Sequence, residues 1–159
     1  MIKRHLSNRT SSIISLSFAI ALIPALTFLL IRLPHFVNVL LNVHEAIGDD
    51  GTLAAWERTC MLVDTYAMLL VAFAAVALLI VLLRSTLSEK VFSLRALHTL
   101  NWLSLCCFIE GLLFIYIAFY FTAALCLTLA AFFLGVSLRV VRNVIAEAMR
   151  YKEENDLTV

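Results

Sequence analysis

The sequence predicts an all-α integral membrane bundle of four transmembrane helices with both termini cytoplasmic. Three observations predict it. Hydrophobic residues make up 63% of the 159 positions and charged residues only 14%, against about 45–50% and about 25% in an ordinary soluble domain. Four apolar runs each reach the roughly 20 residues that a helix needs to cross about 30 Å of hydrocarbon. Ten of the twelve Lys and Arg residues fall in flanks that alternate along the chain. The composition excludes a soluble globule and a disordered tail. A net charge of +1 leaves no basic field to hold nucleic acid, so no direct nucleic-acid binding is expected.

The first crossing is expected over residues 12–33. It follows a basic start with Lys3, Arg4 and Arg9. It resembles a signal peptide, but its apolar core is longer than the about 7–15 residues of such a region and no small-residue cleavage site follows. It is therefore read as a retained span. Pro24 lies inside it and predicts a kink, because proline removes one backbone donor and crowds the preceding turn. Residues 34–60 form an outer segment. Its first half, HFVNVLLNVHEAI, spaces Phe36, Val39, Leu40, Val43 and Ile47 helically. Gly48 to Gly51 is turn-like, and Trp56 suits a membrane–water boundary.

The second crossing is expected over residues 61–83, followed by a cytoplasmic linker at 84–97 with Arg84, Lys90 and Arg95. The third covers about 98–120 and the fourth about 122–141, with a very short turn between them. Arg139, Arg142, Arg150 and Lys152 follow toward the end of the chain. The opposite face keeps only Arg32 and Arg58, beside Glu45, Asp49, Asp50 and Glu57. The positive-inside rule then sets the orientation, in a cell membrane. The whole chain, 1–159, reads as one membrane domain.

The tail at 142–159, VRNVIAEAMRYKEENDLTV with its preceding Val141, continues the last helix past the membrane. Val144, Ile145, Ala148 and Met149 recur at helical spacing and can dock in a partner's groove or pack on the protein's own linker. Asn155 and Asp156 suit a helix stop. Leu157 and Val159 end the chain as an extended tip able to join a partner's sheet edge.

The closing segment VVRNVIAEAMRYKEENDLTV, with VFSLRALHTLNWLSLCC before the third crossing, resembles a small bacterial four-span membrane family, domain of unknown function 2975. The resemblance covers the second half of the chain; the first half agrees only in layout. It implies no established chemistry and no cofactor. Its members' frequent neighbours imply a cytoplasmic partner, a small helix-turn-helix transcriptional regulator.

Three intramembrane polar residues stand out. Glu110, between CCFI and GLLF, lies near the middle of the third crossing, where a charge costs at least about 2.5–3.5 kcal/mol. It is expected to face the bundle, as a proton relay or ligand-sensing site or as a neutral carboxyl bonded to a neighbouring helix. Arg139 lies roughly 9 Å nearer the cytoplasm by helix rise and is expected to snorkel rather than pair with it. Asp64 sits one turn inside the second crossing, where it can cap the helix, face water or join Glu57 in a cation site. Cys60, Cys106, Cys107 and Cys126 form no CxxC pair, and no Cys/His cluster has metal spacing. His5, His35, His44 and His98 share no catalytic spacing. Nucleophile elbow, SxxK, phosphate-binding loop and dinucleotide fingerprint are all missing from the sequence.

The expected function is therefore non-enzymatic: a regulatory or tethering protein in the lipid bilayer that holds a soluble cytoplasmic partner through its linker and tail. The alternative is a small transporter, channel or immunity-type protein that uses Glu110 within a homo-oligomer. No cofactor and no metal is expected.

Overall fold

The computed structural model describes residues 2–47, 55–87 and 93–156. It contains four helices: α1 (Ile2–Ile47), α2 (Ala55–Leu87), α3 (Leu94–Ala118) and α4 (Ala124–Asp156). No strand occurs among the described residues. Each helix includes a stretch long and apolar enough to cross a membrane. A peptide group in hydrocarbon has no water to bond, so only a structure that satisfies its own backbone can cross. Side-chain hydroxyls in the spans meet the same demand locally. Thr27, Thr65, Thr99, Thr128 and Ser137 each donate to the carbonyl four residues back, a bond that closes within one helix.

Successive helices run antiparallel, and each packs on its neighbours in sequence, α1 on α2, α2 on α3 and α3 on α4, whereas α1 and α4 do not pack on each other. The bundle is thus open along one side. The start of α1 and the end of α4 lie at one end of it, the terminal end. The end of α1, the start of α2 and the α3–α4 turn lie at the other, the far end.

The α1–α2 contact is built from Leu33, Val37 and Leu41 against Met61 and Leu69, all buried. Beyond this cluster, Arg58 Nη2 donates to Glu45 Oε1 at 2.7 Å and to Asn42 Oδ1 at 3.4 Å. One antiparallel register satisfies all of these contacts. It sets residues 19–41 of α1 level with 61–83 of α2, deeper into the helix than a crossing at 12–33. The helix also runs through Pro24 and Pro34 to Ile47. The stretch from Pro34 to Ile47 is therefore continuous with the crossing rather than a separate outer element.

The α3–α4 contact depends on two glycines. A Cβ on Gly111 would meet the Phe132 ring at 3.1 Å, and one on Gly135 would meet the Phe108 ring at 3.2 Å. Each glycine is a hole for the other helix's phenylalanine, and the two rings lie 6.1 Å apart, tilted by 42°. Ser104 is fully buried. Its hydroxyl donates to the Gly135 carbonyl at 2.8 Å, crossing to the other helix, unlike the five hydroxyls named above. Lipid tails are as apolar as leucine, so helices gain little by hiding apolar surface from them; close packing and such polar bonds hold the pair together.

α3 starts at Ser93, whose backbone is extended (φ −132°, ψ 147°) and whose side chain accepts from the Ala96 amide. This is an N-cap, and it begins the helix four residues before the crossing expected at 98. α4 is helical through Asp156, the last described residue, so the stop expected at Asn155 and Asp156 falls at the edge of the described residues.

Gly111→Leu is expected to destabilise the bundle by about 1–3 kcal/mol, because the Phe132 ring must be displaced. Ser104→Ala is expected to cost about 0.6 kcal/mol, the average for an interhelical hydrogen bond in a membrane. Thermal unfolding of the detergent-solubilised chain, followed by circular dichroism, checks both. Equal melting temperatures for wild type and Gly111→Leu would contradict the glycine–ring packing.

Candidate functional site

The open side of the bundle is a cleft of about 580 Å³. Leu33 and Val37 of α1, Leu69 of α2, Phe114 of α3 and Leu127 of α4 help to line it. Only two of its lining residues are polar, Thr65 and Glu110. The Thr65 hydroxyl is engaged with the Met61 carbonyl at 2.7 Å, which leaves the Glu110 carboxyl as the cleft's one chemically distinctive group. The α2–α3 register puts Glu110 level with Leu70, at the deep end of the cleft. Phe121 and Met61 lie at its far end. Glu110 is half-buried, and among the described residues no base forms an ion pair with it.

Asp64 lies near enough to Glu110 for the two carboxylates to feel each other's charge, but not at the same level. By the α2–α3 register it lies level with Tyr116, six residues toward the far end, about 9 Å along the axis. One of its oxygens, Oδ2, is buried without a hydrogen-bond partner. α2 already begins at Ala55, nine residues before Asp64, so this side chain does not cap the helix. No group of three His, Cys, Asp or Glu residues able to hold a metal ion occurs among the described residues.

Arg139 is exposed and places its guanidinium 5.4 Å from the centre of the Phe108 ring. Glu110 is not its partner. A guanidinium over an aromatic face is drawn by the ring quadrupole, and this contact reinforces the α3–α4 pair at its terminal-end side.

The tail candidates divide between two faces. Val144 is 63% exposed and Ala148 is also exposed, whereas Ile145 and Met149 are half-buried. α3 is the only helix on which α4 packs, and the Gly111–Phe132 and Phe108–Gly135 register brings its start, Leu94, level with Met149. Ile145 and Met149 therefore turn toward α3. Val144, Ala148 and Tyr151 form the outward face. Arg150 braces it from within the same helix, with Glu147 and Glu154 each at 3.4 Å. Leu157 and Val159 lie outside the described residues.

Sequence reasoning missed two features here. Ser104 reads as one more serine in an apolar run; only the pairing of α3 with α4 shows its bond to Gly135. Arg32 reads as a flanking charge after the first crossing. In the structure it lies at the depth of Glu110, because α1 is set eight residues further along than its hydropathy suggests.

The protein family described as "Protein of unknown function (DUF2975)" matches residues 15–159, a range that takes in the apolar stretches of all four helices. No curated protein and no solved structure matches the chain. The family's extent and the four apolar helices agree with each other: this is a multi-pass membrane protein whose natural solvent is lipid, and the chain belongs to the DUF2975 family.

Proposed function

We propose that this protein is a non-enzymatic membrane tether that holds a soluble cytoplasmic partner through the part of α4 beyond the bilayer. The length and surface of α4 carry this reading. Its 33 residues make a helix of about 50 Å, against about 30 Å of hydrocarbon. The excess emerges at the terminal end as a continuous helix rather than a loose chain. On its outward face Val144, Ala148 and Tyr151 recur at spacings of four and three, the pattern by which an amphipathic helix enters a groove. α3 covers the other face, so the tail is presented at a fixed angle, which lowers the ordering cost of binding. A small helix-turn-helix regulator, the partner implied by the family resemblance, is the occupant this reading assigns to that face.

The same reading sets both termini in the cytoplasm of a cell membrane. Of the eleven Lys and Arg residues on the described helices, nine lie toward the terminal end. The far end keeps Arg58, already bonded to Glu45. Membrane insertion retains basic flanks on the cytoplasmic side, so the tail faces the compartment in which a regulator works.

Two experiments test these points. In co-purification from the native host, Val144→Glu with Tyr151→Glu is expected to lower recovery of the regulator at least tenfold, whereas Met149→Ala on the α3-facing side retains most of it. Equal recovery with the outward face charged would overturn the tether. On intact cells, a membrane-impermeant maleimide is expected to label Gly51→Cys and to spare Thr158→Cys, each in a chain whose four native cysteines are replaced by alanine. The reverse pattern would overturn the orientation.

A further inference from the structure

We infer that the open side of the bundle is an interface with a second copy of this chain, in which Arg32 of each copy meets Glu110 of the partner subunit. The inference starts from depth. The α1–α2 register fixed by Glu45–Arg58, Leu41, Met61, Leu33 and Leu69 sets Arg32 level with Leu70. The α2–α3 register, read from the residues that line the grooves on the two faces of that pair, sets Glu110 level with the same residue. A cation and an anion thus sit at one depth, well inside the apolar layer. Neither has a partner of opposite charge among the described residues. Arg32 is exposed, and its guanidinium has only the Phe28 ring of its own helix, 5.8 Å away. Glu110 lines a cleft whose one other polar residue is Thr65. Charged side chains at such depth ordinarily pair with one another or face a protein interior.

Symmetry makes equal depth informative. All copies inserted in one membrane share an orientation, so a two-fold axis relating them stands normal to the bilayer. Such an axis changes lateral position and leaves depth unchanged. A surface with opposite charges at equal depth is therefore complementary to itself, the requirement for a closed dimer.

The surface around Arg32 fits the role. Phe18, Ala25, Leu29, Arg32, Phe36 and Val43 recur at spacings of seven, three and four along one exposed face of α1, the seam pattern of packed helices. Leu29 and Phe36 also line the cleft, so the face runs into the opening without a break. The partner's α1 fills the gap that α1 and α4 leave between them. Within one chain the two are not paired: the Arg32 guanidinium lies over the Phe28 ring and forms no ion pair with Glu110.

The test uses the full chain in lipid nanodiscs and liposomes. Single-molecule photobleaching is expected to show dimers for wild type, a dimer affinity at least tenfold lower for Arg32→Glu and for Glu110→Arg, and recovery in the chain carrying both changes. In a background whose native cysteines are replaced by alanine, separate chains with Arg32→Cys and with Glu110→Cys are expected to cross-link to each other on oxidation. This second measurement holds if the charge reversals fail to insert. Monomers at every lipid ratio, a dimer indifferent to both reversals, or no cross-link between the two single-cysteine chains would overturn the interface. A chain carrying both cysteines that closes only on itself would show that the two charges meet within one molecule, and would overturn it too.

Discussion

Everything in this structure follows from the absence of water around its peptide groups. In hydrocarbon each backbone donor and acceptor must find its partner within the protein, so the chain is almost entirely helix. The same absence changes what holds the helices together. Burial of leucine against leucine gains little when the alternative is leucine against lipid. Stability then rests on shape and on a few polar bonds: phenylalanines seated in Gly111 and Gly135, the Ser104 bond to the Gly135 carbonyl, and the link from Arg58 to Glu45. These contacts join neighbours in sequence and leave the first and last helices apart.

The number and character of the helices were legible in the sequence because hydropathy reports solvent directly. The limits of each helix relative to its neighbours were not. Hydropathy places the first crossing at 12–33, since Arg32 and the polar residues after Pro34 end the apolar run. Packing sets residues 19–41 level with 61–83 of α2, because Leu33, Val37 and Leu41 are the residues that fit Met61 and Leu69. Arg32, which hydropathy reads as a boundary marker, therefore comes level with Leu70, midway along α2. Composition along one strand of sequence carries no information about register between two helices, and register decides depth.

The candidate site divides along the same line. Glu110 was visible as a carboxyl in an apolar run, and the structure adds the cleft that it lines. The tail was visible as an amphipathic continuation of the last helix. The division of its stripe, with Ile145 and Met149 turned toward α3 and Val144 and Ala148 outward, depends on how far α3 extends. That extent is set by the Ser93 cap, a local hydrogen bond that begins the helix ahead of its apolar core. A cap on one helix thus determines which face of another is free.

The α3–α4 turn has a consequence for how the chain enters the bilayer. Residues 119–123 carry no charge. The backbone amides of Phe119, Tyr120 and Phe121 bond to carbonyls of the closing α3 turn, while those of Ala124, Leu125 and Cys126 bond back into residues 121–123. A loop that is both uncharged and internally hydrogen-bonded has little hydration to shed. In the orientation proposed above, the turn of the second hairpin thus carries no charge through the bilayer, whereas the connection of the first carries Glu45, Asp49, Asp50, Glu57 and Arg58. The electrostatic work of threading this chain is then concentrated in its first half.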